Sequence, residues 1–315
     1  MTTIQIITKN NESTLSKTLD SINNIKSKKI ILDLGSTDKT IEICSGYDGL
    51  KLFNLDEEKS YAEIRNEFAE KDQANVYLNP WDTLIKGEDF LNDIIENQEK
   101  WNDPFFVYVL ENKIISKEIR IWKNQKFENP VYESINAAGE LEPRIIIYSN
   151  SNQAEDRRQE NLNKTNKWIK EKPLSLEPYY YAACCHLSLR NYEKFIYYSD
   201  KYFLKETKVG DSYIILKYYN AQVKLHLKKI KSAVECVLFC LSYKPCMSEF
   251  WCLLGDIYYN QKKINKAISF YENALIIGQK RKNSDFLPIE LVSYKEYPEQ
   301  MIKALNKIKN EAKPI

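Results

Sequence analysis

The sequence predicts two domains of different class: an α/β domain with a parallel sheet over residues 1–150, and an all-α helical repeat domain over residues 155–312. Three observations predict it. Strand and helix patterns alternate from the amino terminus to about Pro80, helical apolar periodicity takes over after Glu155, and three segments of the second half superimpose at a period in the thirties. Breakers are scarce, with 8 Gly and 10 Pro against 22 Tyr and 12 Phe, a balance that suits long helices in close contact.

Taken in order, IQIIT is a short apolar strand and NNESTLSKTLDSINNI an amphipathic helix opened by a polar cap. KKIILDLG is a second strand, and STDKTIEICSGY a second helix with Ser36, Thr37 and Asp38 in its first turn. A β-α-β-α order makes the strands parallel and directs ligands to their carboxyl ends. Polar residues collect there: Thr8, Lys9, Asn10 and Glu12 after the first strand, and Asp33, Gly35, Ser36, Thr37 and Asp38 after the second. A carboxylate in such a place accepts hydrogen bonds from a base N–H or from ribose hydroxyls, and a helix start offers free backbone N–H groups. By themselves, Ser36 and Asp38 read equally well as helix caps.

In the second half the clearest unit is Trp251, Leu254, Gly255, Tyr258, Ala267, Tyr271 and Ala274, whose spacings are similar to the tetratricopeptide pattern. Small residues stand where two helix backbones must approach. One period before Ala267 lies Ala233, with Val237 and Cys240 at the offsets of Tyr271 and Ala274. A further unit begins near Pro178. There the step from Phe195 to Ala233 is longer than the step from Ala233 to Ala267, so a short insertion falls around KETKVGD. Helices at 156–171 and 298–311 cap and close the array. Such an array serves as a scaffold, as a homodimer contact, or as a groove for a protein or peptide.

Composition excludes other classes. With 46 Lys plus Arg against 44 Asp plus Glu, the net charge of +2 sets up no field that implies nucleic acid or an anionic membrane. MTTIQIITKN lacks the form of a secretory leader, and no run of about 18 apolar residues implies a membrane span; a soluble cytoplasmic protein is expected. The seven cysteines are odd in number and lack paired CxxC spacing, so they read as small core residues, although Cys236 and Cys240 would share a helix face. His186 and His226, the only histidines, read as packing or surface residues.

TKNNE, then DLGSTDKTIEI, then YAEIRNEFAEK resemble the successive motifs of the inverting family 2 glycosyltransferases, roughly VKNEE, VDTGSTDxTxEI and FSxARNxAL. RIWKNQKFENPVYESI is similar to a later block of that family. A subgroup with carboxy-terminal tetratricopeptide repeats contains the peptide S-glycosyltransferases. The resemblance implies a GT-A-like (Rossmann-like) fold and a nucleotide diphosphate sugar as donor. It implies that Thr8 and Glu12 lie beside nucleobase and ribose, that Asp33 bonds the nucleoside, and that Arg65 faces the diphosphate, where a guanidinium can make two charge-assisted hydrogen bonds.

One departure bears on mechanism. The family's D-x-D motif, which binds a divalent cation, is replaced by Asn79, Trp81 and Asp82, and its His-Glu pair by Tyr132 and Glu133. Loss of hard oxygen donors and of a nitrogen ligand together implies no metal site and no cofactor beyond a weak Mg or Mn dependence. The expected enzyme is therefore metal-independent, with Arg65, Arg120 or Lys123 offsetting leaving-group charge. Asp82 or Glu133 is the general base, and Trp81 either packs on the sugar or is a strand-end aromatic. The acceptor is a peptide, protein or glycan. The alternatives are a nucleotide-sugar binder without turnover and a repeat-based interaction protein.

Overall fold

In the computed structural model, residues 2–55, 59–130, 134–135, 137–150, 155–281 and 287–311 are described. The chain divides into two compact units, Met1–Trp168 and Ile169–Ile315. The division falls near the end of a long helix, Glu155–Glu171.

The first unit is built on a mixed sheet. Its strands are β1 (Thr3–Thr8), β2 (Lys28–Asp33), β3 (Leu50–Asn54), β4 (Asn75–Leu78), β5 (Asp82–Lys86), β6 (Phe105–Glu111) and β7 (Ile114–Trp122), with β8 (Phe127–Glu128) and β9 (Ser134–Ile135) as a separate ribbon and β10 (Glu140–Ser149) returning to the sheet. Eight of them run in the order β3-β2-β1-β4-β7-β6-β10-β5. The first four are parallel, as the alternating pattern requires. Beyond β4 the pairing turns antiparallel, through β4 with β7 and β7 with β6, and only β6 with β10 is again parallel. Of those later strands only β5 and β6 are joined through an α-helix, Glu88–Glu96, so the alternation that precedes Pro80 could not announce them.

Both faces of the parallel part are covered. Ile4, Ile6, Ile31, Val76 and Leu78 pack under α1 (Leu15–Ser21), α2 (Thr40–Cys44) and α4 (Glu88–Glu96). Ile7, Ile30 and Leu32 on the opposite face meet Tyr61 and Ile64 of α3 (Tyr61–Glu67). A Ser60–Glu63 capping box opens α3, a signal that SYAE carried in the sequence.

Helices α1 and α2 are shorter than their sequence patterns suggest. Residues 10–14 and 36–39 lie in loops instead, because Asn10, Asn11 and Asp38 direct their side chains to backbone groups rather than leaving those groups to a helix.

The second unit follows the α5 helix (Glu155–Glu171) with three helical hairpins and a closing helix. These are α6 (Glu177–Ser188) with α7 (Tyr192–Lys205), α8 (Asp211–His226) with α9 (Ile230–Tyr243), α10 (Ser248–Asn260) with α11 (Ile264–Gly278), and α12 (Glu296–Glu311). The insertion expected at KETKVGD is the loop between α7 and α8. Each hairpin turns in the same way. Arg190, Lys228 and Lys262 take left-handed φ values of 56°, 58° and 60°. The next residue's N–H reaches back to a carbonyl near the end of the first helix, as in Asn191 to His186, Lys229 to Lys224 and Lys263 to Tyr258, which is a Schellman closure.

Packing within the hairpins depends on small residues. Ala183, Ala221 and Gly255 occupy equivalent places and are buried. A Cβ on Gly255 would lie 2.6 Å from the Tyr271 ring. Five of the seven cysteines are buried and all are free, the core role read from their spacing. His186 is buried and stacked on Tyr198, and the exposed His226 meets the edge of Tyr192.

Gly255→Ala is expected to destabilise the repeat unit by about 1–3 kcal/mol through overpacking against Tyr271, and Lys262→Gly to stabilise it by up to about 1 kcal/mol by relieving the left-handed strain; denaturant titration of the two variants measures both. Burial pushes the Glu249 carboxyl up to about 7 although Arg281 opposes this. The folded state therefore holds more protons than the unfolded between about pH 4.5 and 7, and this residue's contribution to stability falls as pH rises through that window and is level above it. The stability difference between Glu249→Gln and the wild-type protein should shift in favour of the variant from pH 5 to pH 7.

Candidate functional site

Thr8 and Asp33 end adjacent parallel strands and are register partners, so the loops that follow them emerge side by side. The two loops are cross-bonded. The Asn10 N–H donates to Ser36 Oγ at 2.9 Å and the Thr37 N–H to Asn10 Oδ1 at 2.8 Å. The Glu12 N–H donates to Asp38 Oδ2 at 3.0 Å, and the Lys39 N–H donates back to Glu12 Oε2 at 2.9 Å. Thr8 Oγ1 donates to Asn11 Oδ1 at 2.9 Å, and the Asn11 N–H to Thr40 Oγ1 at 2.7 Å. Asn10 at φ 52° and Gly35 at φ 79° make the tight bends this pairing needs.

Asp33, 2% exposed, anchors the second loop. Its Oδ2 accepts from the Gly35 and Ser36 N–H groups at 3.0 and 2.9 Å, and its Oδ1 accepts from the Ser36 hydroxyl. The carboxylate thus has a structural task in addition to the nucleoside contact expected from the sequence. Asp38 divides its role: Oδ1 accepts from the Thr40 N–H at the start of α2 and Oδ2 from the Glu12 N–H of the first loop. Burial, the largest single effect, pushes its carboxyl up, but the bonds from Thr40 and Glu12 together hold it below the usual range. Glu12 also lines an open groove of about 540 Å³ with Ser13, Ser16, Lys39, Glu42 and Tyr47.

Arg65 lies elsewhere than the helix surface. Its side chain is fully buried, with the guanidinium 3.8 Å from the centre of the Tyr77 ring. Glu63 instead completes the capping box, and Glu67 pairs with Lys59 at 2.6 Å. Solvent does not reach the guanidinium.

At the place of the cation motif, Asn79, Pro80, Trp81 and Asp82 form a tight turn between β4 and β5, in which the Asn79 N–H donates to Asp82 Oδ2 at 2.8 Å and the Asp82 N–H to the Asn79 carbonyl at 3.0 Å. Asp82 is 0% exposed, and the same Oδ2 accepts from Arg120 Nη1 at 2.7 Å. Its Oδ1 has no hydrogen-bond partner among the described residues. Arg120 also reaches Glu118 at 3.0 Å and stands 4.4 Å from the Tyr77 ring centre. Burial opposes its charge, but Asp82 and Glu118 prevail and hold its pKa above the usual value. The position has a backbone cause: Phe105 pairs with Ile121 and Phe106 with Ile119, so Arg120 is the extra residue of a β-bulge, which re-aims its side chain.

These donors do not fit a divalent cation. The single carboxylate of the motif is sealed from solvent and already neutralised by a guanidinium. Among the described residues, no group of three or more His, Cys, Asp or Glu side chains could hold a metal ion. Trp81 is half-buried. Glu133 and Tyr132 lie outside the described residues. Sequence reasoning missed the Arg120 pairing, whose only signal was a lone arginine among the apolar residues of IRIW.

Residues 248–279 match the tetratricopeptide repeat. The carboxy-terminal part is thus a helical array of tetratricopeptide-like repeats. No curated protein matches the chain. Among solved structures, it is similar to MamA, residues 41 to the end, from Desulfovibrio magneticus RS-1, at 16% identity over 52% of this chain and 93% of that one, with a TM-score of 0.37. Another MamA crystal structure gives 14% identity over 50% of this chain and 85% of that one, with a TM-score of 0.39. The APC/C hetero-tetramer Cut9–Hcn1 gives 11% identity over 50% and 28%, with a TM-score of 0.37. Among the described residues, no helix is long and apolar enough to cross a membrane.

Asp82→Asn should cost about 3 kcal/mol of stability, because it leaves the buried Arg120 guanidinium with only the part-exposed Glu118 as countercharge. The joint variant Asp82→Leu with Arg120→Met should cost less than Asp82→Asn alone. Chemical denaturation checks this, and simple additivity would mean the two groups are not coupled.

Proposed function

We propose that the amino-terminal unit binds a nucleotide diphosphate sugar and transfers its sugar with inversion to a peptide, protein or carbohydrate acceptor, without a divalent cation. The observation that carries this reading is the cross-bonded pair of loops at the carboxyl ends of β1 and β2, which brings Thr8, Glu12 and Asp33 together. Strand order adds support. The chain crosses from β1 to β2 and β3 and then returns to place β4 on the other side of β1, and ligands collect where strand order reverses in this way.

Each residue has a role in this reading. Thr8, Glu12 and Asp33 meet base and ribose, and Asn79 and Trp81 border the sugar. Arg65 and Arg120, both buried and stacked on Tyr77, would act on the diphosphate leaving group through their field and not by contact, with Arg120 already balanced by Asp82. Since Asp82 is committed to Arg120, the general base is Glu133, which would take the acceptor proton as the acceptor attacks the anomeric carbon from the face opposite the diphosphate. The repeats would hold the acceptor or a second copy of the chain.

A second reading, binding without turnover, draws on the same sealed Asp82 carboxylate, which as it stands accepts no proton from an acceptor.

Calorimetric titration with nucleotide diphosphates and their sugars, in the presence of Mn, Mg or chelator, tests both readings. Binding should survive the chelator and weaken by about tenfold or more in Asp33→Ala and in Arg65→Met, the latter because it removes the buried positive charge that this reading sets against the diphosphate. Unchanged affinity in both variants, each checked for folding by circular dichroism, would discard the site. Donor binding with no sugar released to water or acceptor would favour the binder.

A further inference from the structure

The middle helical hairpin departs from the other two at one place. Counted from the small residue of each first helix, Ala183, Ala221 and Gly255, the positions four before and three after hold Tyr179 and His186 in the first hairpin and Trp251 and Tyr258 in the third, but Lys217 and Lys224 in the second. On the second helices, three residues after Phe195, Ala233 and Ala267, stand Tyr198, Cys236 and Phe270. In the outer hairpins these rings stack, His186 on Tyr198 with centroids 5.2 Å apart, and Tyr258 and Trp251 on Phe270 at 5.0 and 6.2 Å. The middle hairpin has two amines and a thiol instead. Packing alone does not call for that exchange, because a stack of rings buries more apolar surface than two lysines and a cysteine.

The replacements touch. Lys224 Nζ on α8 donates to Cys236 Sγ on α9 at 3.4 Å. Lys217 Nζ, on the same helix, stands 3.8 Å from the centre of the Phe203 ring, with Tyr213 and Phe239 at 5.6 and 5.7 Å, and burial holds its pKa below the usual lysine value. Cys236 is 6% exposed, which favours a small oxidant over a bulky one. The thiolate is the form that peroxide oxidises, and a lysine beside the sulfur both attracts that charge and supplies a nitrogen for the step that follows. Cys240, one turn further along α9, competes poorly: it is fully buried, its thiol donates to the Ile214 carbonyl at 3.5 Å, and burial pushes that thiol up to about 12.

We propose that Cys236 and Lys224 form an oxidation-dependent covalent link between α8 and α9, with hydrogen peroxide as the oxidant. The Cys236 sulfur attacks one peroxide oxygen and the O–O bond breaks, giving a sulfenic acid and water. The Lys224 amine then attacks that sulfur; the S–O bond breaks and the hydroxyl leaves with a nitrogen proton as a second water, so a sulfenamide S–N bond remains. Sulfur has lost two electrons and peroxide has gained them. Two equivalents of a small thiol reverse the link, restoring the Cys236 thiol and the Lys224 amine and leaving a small-molecule disulfide. The inference concerns the repeat unit alone and stands whether or not the other unit binds a nucleotide.

Treatment of the full chain with hydrogen peroxide, followed by intact-mass and peptide-mapping mass spectrometry, tests this. The expected product is about 2 Da lighter than the starting protein, maps to a Lys224–Cys236 cross-link and reverts with dithiothreitol. Cys240→Ser should keep that product, whereas Lys224→Met should form it at least about tenfold less and carry sulfinic acid at Cys236 instead, because no amine intercepts the sulfenic acid. Circular dichroism checks that both variants fold, and the mapping of the wild-type protein needs neither. A Cys236–Cys240 disulfide, oxygen added to Cys236 without a cross-link, or a Cys236 that stays reduced at peroxide concentrations that oxidise free cysteine overturns the proposal.

Discussion

A guanidinium removed from water needs a carboxylate beside it, and in the amino-terminal unit Arg120 has Asp82. Much of the surrounding arrangement answers to that need. The β-bulge turns Arg120 toward β5, the Asn79–Asp82 turn presents the carboxylate, and Tyr77 offers its ring to Arg120 and to Arg65 alike. The same interaction settles what the position cannot do. Where the family it resembles places oxygen donors for a cation, this chain has a closed ion pair, with the carboxylate already committed to a guanidinium.

The fold was readable in the sequence where a period carries it. The parallel strands, the helical hairpins, the spacing between successive repeats and the insertion before α8 all follow from apolar spacing and small-residue positions. What escaped has a common physical origin. Apart from the β6–β7 hairpin, which turns at Asn112–Lys113, the antiparallel pairings of the sheet, the Arg120 pairing and the bonds between the loops after β1 and β2 join residues far apart in the chain, and no local pattern encodes a long-range contact such as Arg120 to Asp82. Short polar runs misled in the opposite direction: NNES and STDK look like helix starts, yet their side chains bond across to one another's backbones.

Among the candidate residues, those that end strands could be located from the sequence because a parallel sheet fixes where strands end. Thr8 and Asp33 come together for that reason. Arg65 and Asp82 depended on side-chain burial, which composition does not disclose, and both proved to be interior residues. Along α10, Glu249, Cys252 and Asp256 have the spacing of any amphipathic helix, and only the folded chain reveals that residues beyond α11 lie on that face.

The repeated Schellman turns at Arg190, Lys228 and Lys262 have a consequence for how the second unit comes to be folded. Each closes through main-chain bonds between near neighbours in the chain, and each hairpin's helices are adjacent in sequence. Loop-closure entropy is therefore small at every step, and any of the three hairpins can nucleate and template the next. Folding can begin at either end of the array and spread by accretion, which is also the property that lets whole hairpins be gained or lost by duplication without rewriting the turns between them.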